Sequence, residues 1–250
     1  MKRARAPRGR PRRMPARSRP YRSALIRDEG STWSAPPSTT MRLLLSGGLI
    51  APMVFVGGFL AQGAIQPGYN PWTDYVSDLS LSADGWMQVA SFIICGWLLL
   101  GFSAALCQLA ETRAAPGWAP VVFGVMGFGL IAAGAFQIDP TTARLTLHGE
   151  LHYVASFVIA GSLGLAALLA WRDLRHLGRN PALASYCLAT GFVVVTLFTA
   201  SLLAPSVASP GLLERLALLA GSAWVVVYAQ RLRRTLSVNR HEFERNLVAA

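Results

Sequence analysis

The sequence predicts an all-α, polytopic membrane protein: a bundle of six transmembrane helices with both termini in the cytoplasm. Three observations carry that expectation. The chain is 53% hydrophobic and only 14% charged, whereas soluble domains carry roughly a quarter charged residues. Between Arg42 and Glu111 the only charged side chains are Asp74, Asp78 and Asp84. The Lys and Arg residues also fall on alternate connections, as the positive-inside rule requires of cytoplasmic loops.

A span needs about 20 mostly apolar residues to cross about 30 Å of hydrocarbon. Six segments meet that length, at roughly 43–64, 86–110, 119–137, 151–171, 183–204 and 212–230. The second, third and fifth show no polar face at helical period, and a helix apolar all round is buried or lies in a membrane. The sixth is the weakest, because Glu214 and Arg215 fall in its first turn. Residues 1–40 are rich in Arg, Pro and Ser, too poor in apolar surface to offset chain entropy, and read as disordered. They are either a basic arm on anionic headgroups or a stretch upstream of a natural start at Met41. The layout is then a basic extension over 1–40, a transmembrane domain over 41–232 and a cytoplasmic tail over 233–250.

The net charge of +11 does not point to nucleic acid, because beyond residue 42 there are 11 basic against 10 acidic residues. Membrane lipid is the expected partner. Cys95, Cys107 and Cys187 lie within spans and read as packing residues, with neither a disulfide framework nor zinc spacing.

Threading follows from the loops. The first connection (65–85) has three Asp and no basic residue, whereas the fourth carries Arg172, Arg175 and Arg179, and Arg231, Arg233 and Arg234 follow the last span. Connections one, three and five are therefore outside a plasma or inner membrane, with Arg144 and Arg215 as exceptions. Trp72 and Trp86 mark the outer interface, Trp118 and Trp171 the inner one. Gly57 with Ala61, and Ala160 with Gly164, are small pairs four apart that suit close helix packing, inside the bundle or between two copies in a dimer.

The ionisable groups concentrate on the outer face: Asp74 and Asp78 in the first loop, Asp139, His148, Glu150 and His152 around the second, Glu214 at the start of span six. His148 and His152 share a helix face if span four begins by Leu147. Two imidazoles so placed can ligate one metal ion, with Asp78 and Asp139 completing the site. A divalent metal there would activate water against a lipid or lipid-linked substrate. Glu150 lies one position late for the HExxH pattern. Against this stands a purely structural reading, with Asp78 or Ser77 capping a short interfacial helix and Asp139-Pro140 ending span three. A third reading is transport of a small solute or of protons. For that the span interiors offer little beyond Gln108, Gln137, Thr190, Thr196 and Thr199. The expectation is an integral membrane protein of unknown activity with a polar Asp/His cluster at its extracytoplasmic face.

At these motifs the chain resembles a bacterial and archaeal membrane family known as domain of unknown function 998. The resemblance rests on Tyr69-x-Pro71 followed by Tyr75-Val76-Ser77-Asp78-Leu79-Ser80, on Asp139, and on His148-Gly149-x-x-His152. It covers roughly residues 43–230 and implies a multi-span helical bundle, with no activity attached.

Overall fold

The computed structural model describes residues 38–111, 114–140, 143–178, 180–203 and 209–248. Within them the chain forms helices α1 (Thr39–Ile65), α2 (Trp86–Glu111), α3 (Ala119–Ala135), α4 (Leu147–His176), α5 (Pro181–Leu203) and α6 (Pro210–Val248), with a 3₁₀ turn over Ser77–Leu81. No strand occurs among the described residues. The expected disorder of residues 1–37 lies outside them, as do Arg113, Arg179 and Pro205.

Capping fixes where the helices start. The Ser38 hydroxyl accepts from Met41 N at 3.1 Å to open α1, so residues 39 and 40 are helical rather than part of the extension. Thr146 caps α4, as a hydroxyl does for otherwise unbonded N–H groups. Pro181 and Pro210 stand at the first helical positions of α5 and α6, where a missing N–H costs nothing. Helix α6 runs unbroken to Val248. Residues 233–248 of the expected tail therefore continue α6.

Five helices are long and apolar enough to cross a membrane. The sixth, α3, has 17 residues and a length of about 25 Å at the usual rise. Met53, Trp97, Val121, Phe128 and Phe192 are exposed on outward faces. An exterior this apolar suits lipid and would associate in water. The chain is a multi-pass integral membrane protein.

The helices form a closed ring. Each packs on its neighbours in sequence, and α6 returns against α1. Close approach is set by small residues. A Cβ on Gly96 would meet the Gly127 carbonyl oxygen at 2.7 Å, which lets α2 and α3 touch backbone to backbone. Ala160 and Gly164 face α5, with Val195 2.5 Å from where a Gly164 Cβ would stand. Gly57 and Ala61 do not pack in this way. Both are exposed, and a Cβ on Gly57 would meet nothing within 4 Å, because the α1 face turned inward is that of Phe55, Phe59 and Gln62.

A ring of helices leaves an axis, and here it is incompletely filled. An apolar cavity of about 40 Å³ lies at mid-bundle beside Pro52, Cys95, Met126 and Leu163. A second cavity, of about 20 Å³, includes Ser77, His152, Ser156 and Glu214 in its wall. Phe55, Ile159 and Leu218 line both, so the two are neighbours on either side of these side chains. Aromatic rings fill the core further along. Phe123 meets Phe102 at 5.0 Å and Tyr228 at 5.5 Å, and Tyr228 lies 5.3 Å from Trp224. Trp118 donates to Asp173 Oδ2 at 2.9 Å beside them.

Candidate functional site at the acidic end

The loop after α1 folds on itself first. Asp74 accepts Asn70 N and the Thr73 hydroxyl, each at 2.8 Å, and Asn70 Oδ1 accepts Trp72 N at 3.1 Å. Asx turns of this kind are a usual use of Asp and Asn. Asp78 Oδ2 accepts Tyr75 N at 2.8 Å and so holds the start of the 3₁₀ turn. The Tyr69 hydroxyl donates to Tyr75 O at 2.9 Å, and the Tyr75 hydroxyl donates to Ser201 O at 2.8 Å near the end of α5. Gln62, buried on α1, donates to Leu79 O at 3.2 Å and Asp84 O at 3.1 Å, which fastens the turn to α1.

Helix α6 then locks the loop. Arg215 Nη1 lies 2.8 Å from each of three carbonyl oxygens, those of Pro71, Asp74 and Gly211. Nη2 donates to the Tyr69 hydroxyl. Only glycine fits at 211, because a Cβ there would collide with the Asp74 carbonyl oxygen. One turn of backbone thus brings a buried guanidinium against a loop some 141 residues earlier in the chain. Its sequence neighbour Glu214 is buried too and accepts Val76 N on Oε2 at 2.6 Å.

Burial raises the carboxyl pKa of Asp78 above the ordinary carboxylate value. The Tyr75 N–H opposes the rise, the Asp74 charge adds to it, and Arg215 opposes it. Asp78 Oδ1 is buried with no hydrogen-bond partner. Burial also pushes the Tyr75 hydroxyl up to about 12 and raises that of Tyr69. Both remain donors at neutral pH.

His152 lies across the axis on α4 and is 1% exposed. Its Nδ1 lies 2.8 Å from Phe136 O and 3.1 Å from Ala133 O, at the end of α3. Both partners are acceptors, so Nδ1 carries the proton, and in the neutral ring Nε2 is a bare acceptor. Nε2 is buried and has no partner. The Phe92 ring meets the imidazole edge-on at 6.1 Å. His152 and Glu214 both line the 20 Å³ cavity.

The polar residues expected from the sequence to form one cluster divide into separate groups. Asp139 caps the entry to α4: Oδ2 accepts Thr146 N at 2.6 Å and Oδ1 accepts the Thr146 hydroxyl at 2.9 Å. Gly149 allows this, since a Cβ there would strike that carboxylate. His148 is exposed, with its ring 5.6 Å from that of Phe136. Glu150 is exposed as well. One helical turn therefore separates an outward imidazole from one sealed in the core. Among the described residues, no group of three or more His, Cys, Asp or Glu is placed to hold a metal ion. Asp74 serves its own loop, while Asp78 and Glu214 accept the successive N–H groups of Tyr75 and Val76.

Sequence reasoning missed Arg215 as an anchor and Tyr69, Gln62, Ser77 and Ser156 as site residues. Tyr69, Pro71 and Tyr75 did stand in the motif quoted above, and the structure gives that motif a physical reading: it is the collar around Arg215.

The sequence pattern of the family described as "Protein of unknown function (DUF998)" matches residues 49–231. The chain belongs to that family. No curated protein and no solved structure shows detectable similarity to it.

Proposed function

We propose that this member of the DUF998 family crosses the plasma membrane six times, with the acidic end outside, and is a proton-coupled carrier of a small solute. The distribution of arginine supports the threading, with the basic loop after α4 and the basic stretch within α6 on the opposite side. One observation carries the functional reading: Glu214 and His152 line a single water-sized cavity on the bundle axis. Ionisable groups inside a membrane bundle are costly and are by default functional.

The chemistry is proton exchange. A cavity of about 20 Å³ admits one water, which needs roughly 10–15 Å³ by this measure. That water can donate a proton to His152 Nε2 while receiving one from the Glu214 carboxyl group, which leaves a carboxylate and an imidazolium. The charged groups around Glu214 are Arg215 on α6 and Asp78 on the 3₁₀ turn. The apolar cavity across Phe55, Ile159 and Leu218 neighbours this one, and movement of those side chains would extend the polar chamber into it. A carrier needs this closed state in its cycle.

Infrared difference spectroscopy across pH tests the reading. A protonated carboxyl band should titrate in the wild type and vanish in Glu214→Gln, and His152→Gln should move its midpoint. A carboxyl band unchanged in Glu214→Gln would overturn the proposal.

A further inference from the structure

We infer that the cavity between Glu214 and His152 receives a primary ammonium group, which makes a small amine the solute. The inference rests on the reading of that pair given above and adds the chemical class of what it binds.

The donor and acceptor inventory of the wall decides the class. Its polar groups are His152, Glu214, Ser77 and Ser156. His152 Nε2 is an acceptor, because Nδ1 holds the ring proton against two carbonyl oxygens. An ionised carboxylate only accepts, and serine hydroxyls accept or donate. No Lys or Arg side chain lines the cavity. The nearest guanidinium, that of Arg215, is turned into the loop collar with its Nη atoms bonded there. Once the pair has released its shared proton, the site is made of acceptors, and it rejects anions and suits a group that only donates. The ammonium head, with three N–H donors and no acceptor, is such a group.

Charge and size agree. Glu214, in the cavity wall, is flanked by a second acid, Asp78, and by one guanidinium, that of Arg215. With both acids ionised, a single added cation makes that group neutral. Phe55, Phe92 and Phe198 make up the rest of much of the wall, and aromatic rings attract cations in a desolvated site. A room of about 20 Å³ takes an ammonium head, which is the size of a water, and excludes a quaternary one. A separate apolar cavity lies across Phe55, Ile159 and Leu218, and a shift of those side chains would make room for a short alkyl stub. The partnerless, buried Nε2 is the atom in want of such a donor.

An ammonium head has two sources, a dissolved amine or an aminolipid headgroup. The test uses the full chain in phosphatidylcholine nanodiscs with radiolabelled methylammonium as the probe. Saturable binding is expected, displaced by ammonium and ethylammonium and not by tetramethylammonium. Glu214→Gln should weaken binding by about tenfold or more. Ser156→Ala, a smaller change, should weaken it several-fold while the thermal unfolding profile stays that of the wild type. Phosphatidylethanolamine replacing phosphatidylcholine suppresses the signal if the lipid headgroup is the occupant and leaves it unchanged if a dissolved amine is. Absence of saturable binding, equal displacement by tetramethylammonium, or full binding in Glu214→Gln overturns the inference. If the Glu214 carboxyl band titrates yet methylammonium neither binds nor shifts it, the amine falls and the proton reading stands. If the band does not titrate, both fall.

Discussion

Arg215→Ala should loosen the acidic end of the bundle without dismantling the rest. The substitution removes the contacts to Pro71 O, Asp74 O, Gly211 O and the Tyr69 hydroxyl. Gly211 O keeps its place in the α6 hydrogen-bond ladder, so the atoms left without a partner are the loop carbonyls and the hydroxyl. A hydrogen bond to a charged group contributes about 1.5–3 kcal/mol when fully buried. The contacts to Pro71 and Asp74 are only part-buried, which brings each to about 1 kcal/mol and the total to about 3 kcal/mol. Arg215→Lys should recover less than half, since one ammonium cannot span acceptors that a planar fork reaches together. Thermal unfolding in detergent can be followed with a thiol-reactive dye, because Cys95 and Cys187 are buried; exposed Cys107 is first replaced by Ser. Hydrogen exchange at residues 69–76 should quicken in Arg215→Ala at temperatures where α2 and α3 remain protected. Coincident unfolding curves and unaltered exchange in that loop would refute the anchoring role.

The remaining expectations concern charge and threading. Burial raises the folded-state pKa of Asp78, so the native state binds that proton more tightly than the unfolded chain does. Acidification from neutral pH through the raised value and down toward 3.8 should therefore add stability from this group, and Asp78→Asn should abolish that increment; parallel pH dependences of thermal unfolding in wild type and variant would contradict it. In a background without Cys107, Ala83→Cys should react in intact cells with a membrane-impermeant thiol reagent and His176→Cys should not, both sites being exposed; the opposite pattern would invert the threading.

The fold was legible because hydrocarbon imposes so simple a rule. Segments such as 86–110 and 183–204 are apolar on every face, and α2 and α5 lie close to those limits. The course of α6 was less legible. Its polar continuation beyond Arg231 carries no break signal, and a helix already formed propagates at little cost through good helix formers.

The site was half legible. Its residue types were visible, but their partners lay far off in sequence. Glu214 and Arg215 read as blemishes in a weak span because local hydropathy registers only the penalty of burying them. What stabilises them, the turned carbonyls of Pro71 and Asp74 and the N–H of Val76, has no signature at positions 214 and 215. The His148 and His152 spacing misled for a related reason. Helical period places both on one face, yet the first turn of α4 projects beyond the ring while the second is enclosed by α3. Period gives direction around a helix and says nothing of depth along it.

The collar also has a bearing on how the protein is made. Its guanidinium belongs to α6, while the backbone it grips belongs to the loop after α1, made some 141 residues earlier. Throughout synthesis of the intervening chain that loop waits without its clasp, and the ring stays open between α1 and its future neighbour. A nascent chain truncated before residue 210 should therefore carry an unlatched segment between α1 and α2, a feature by which membrane proteases can tell unfinished copies from finished ones.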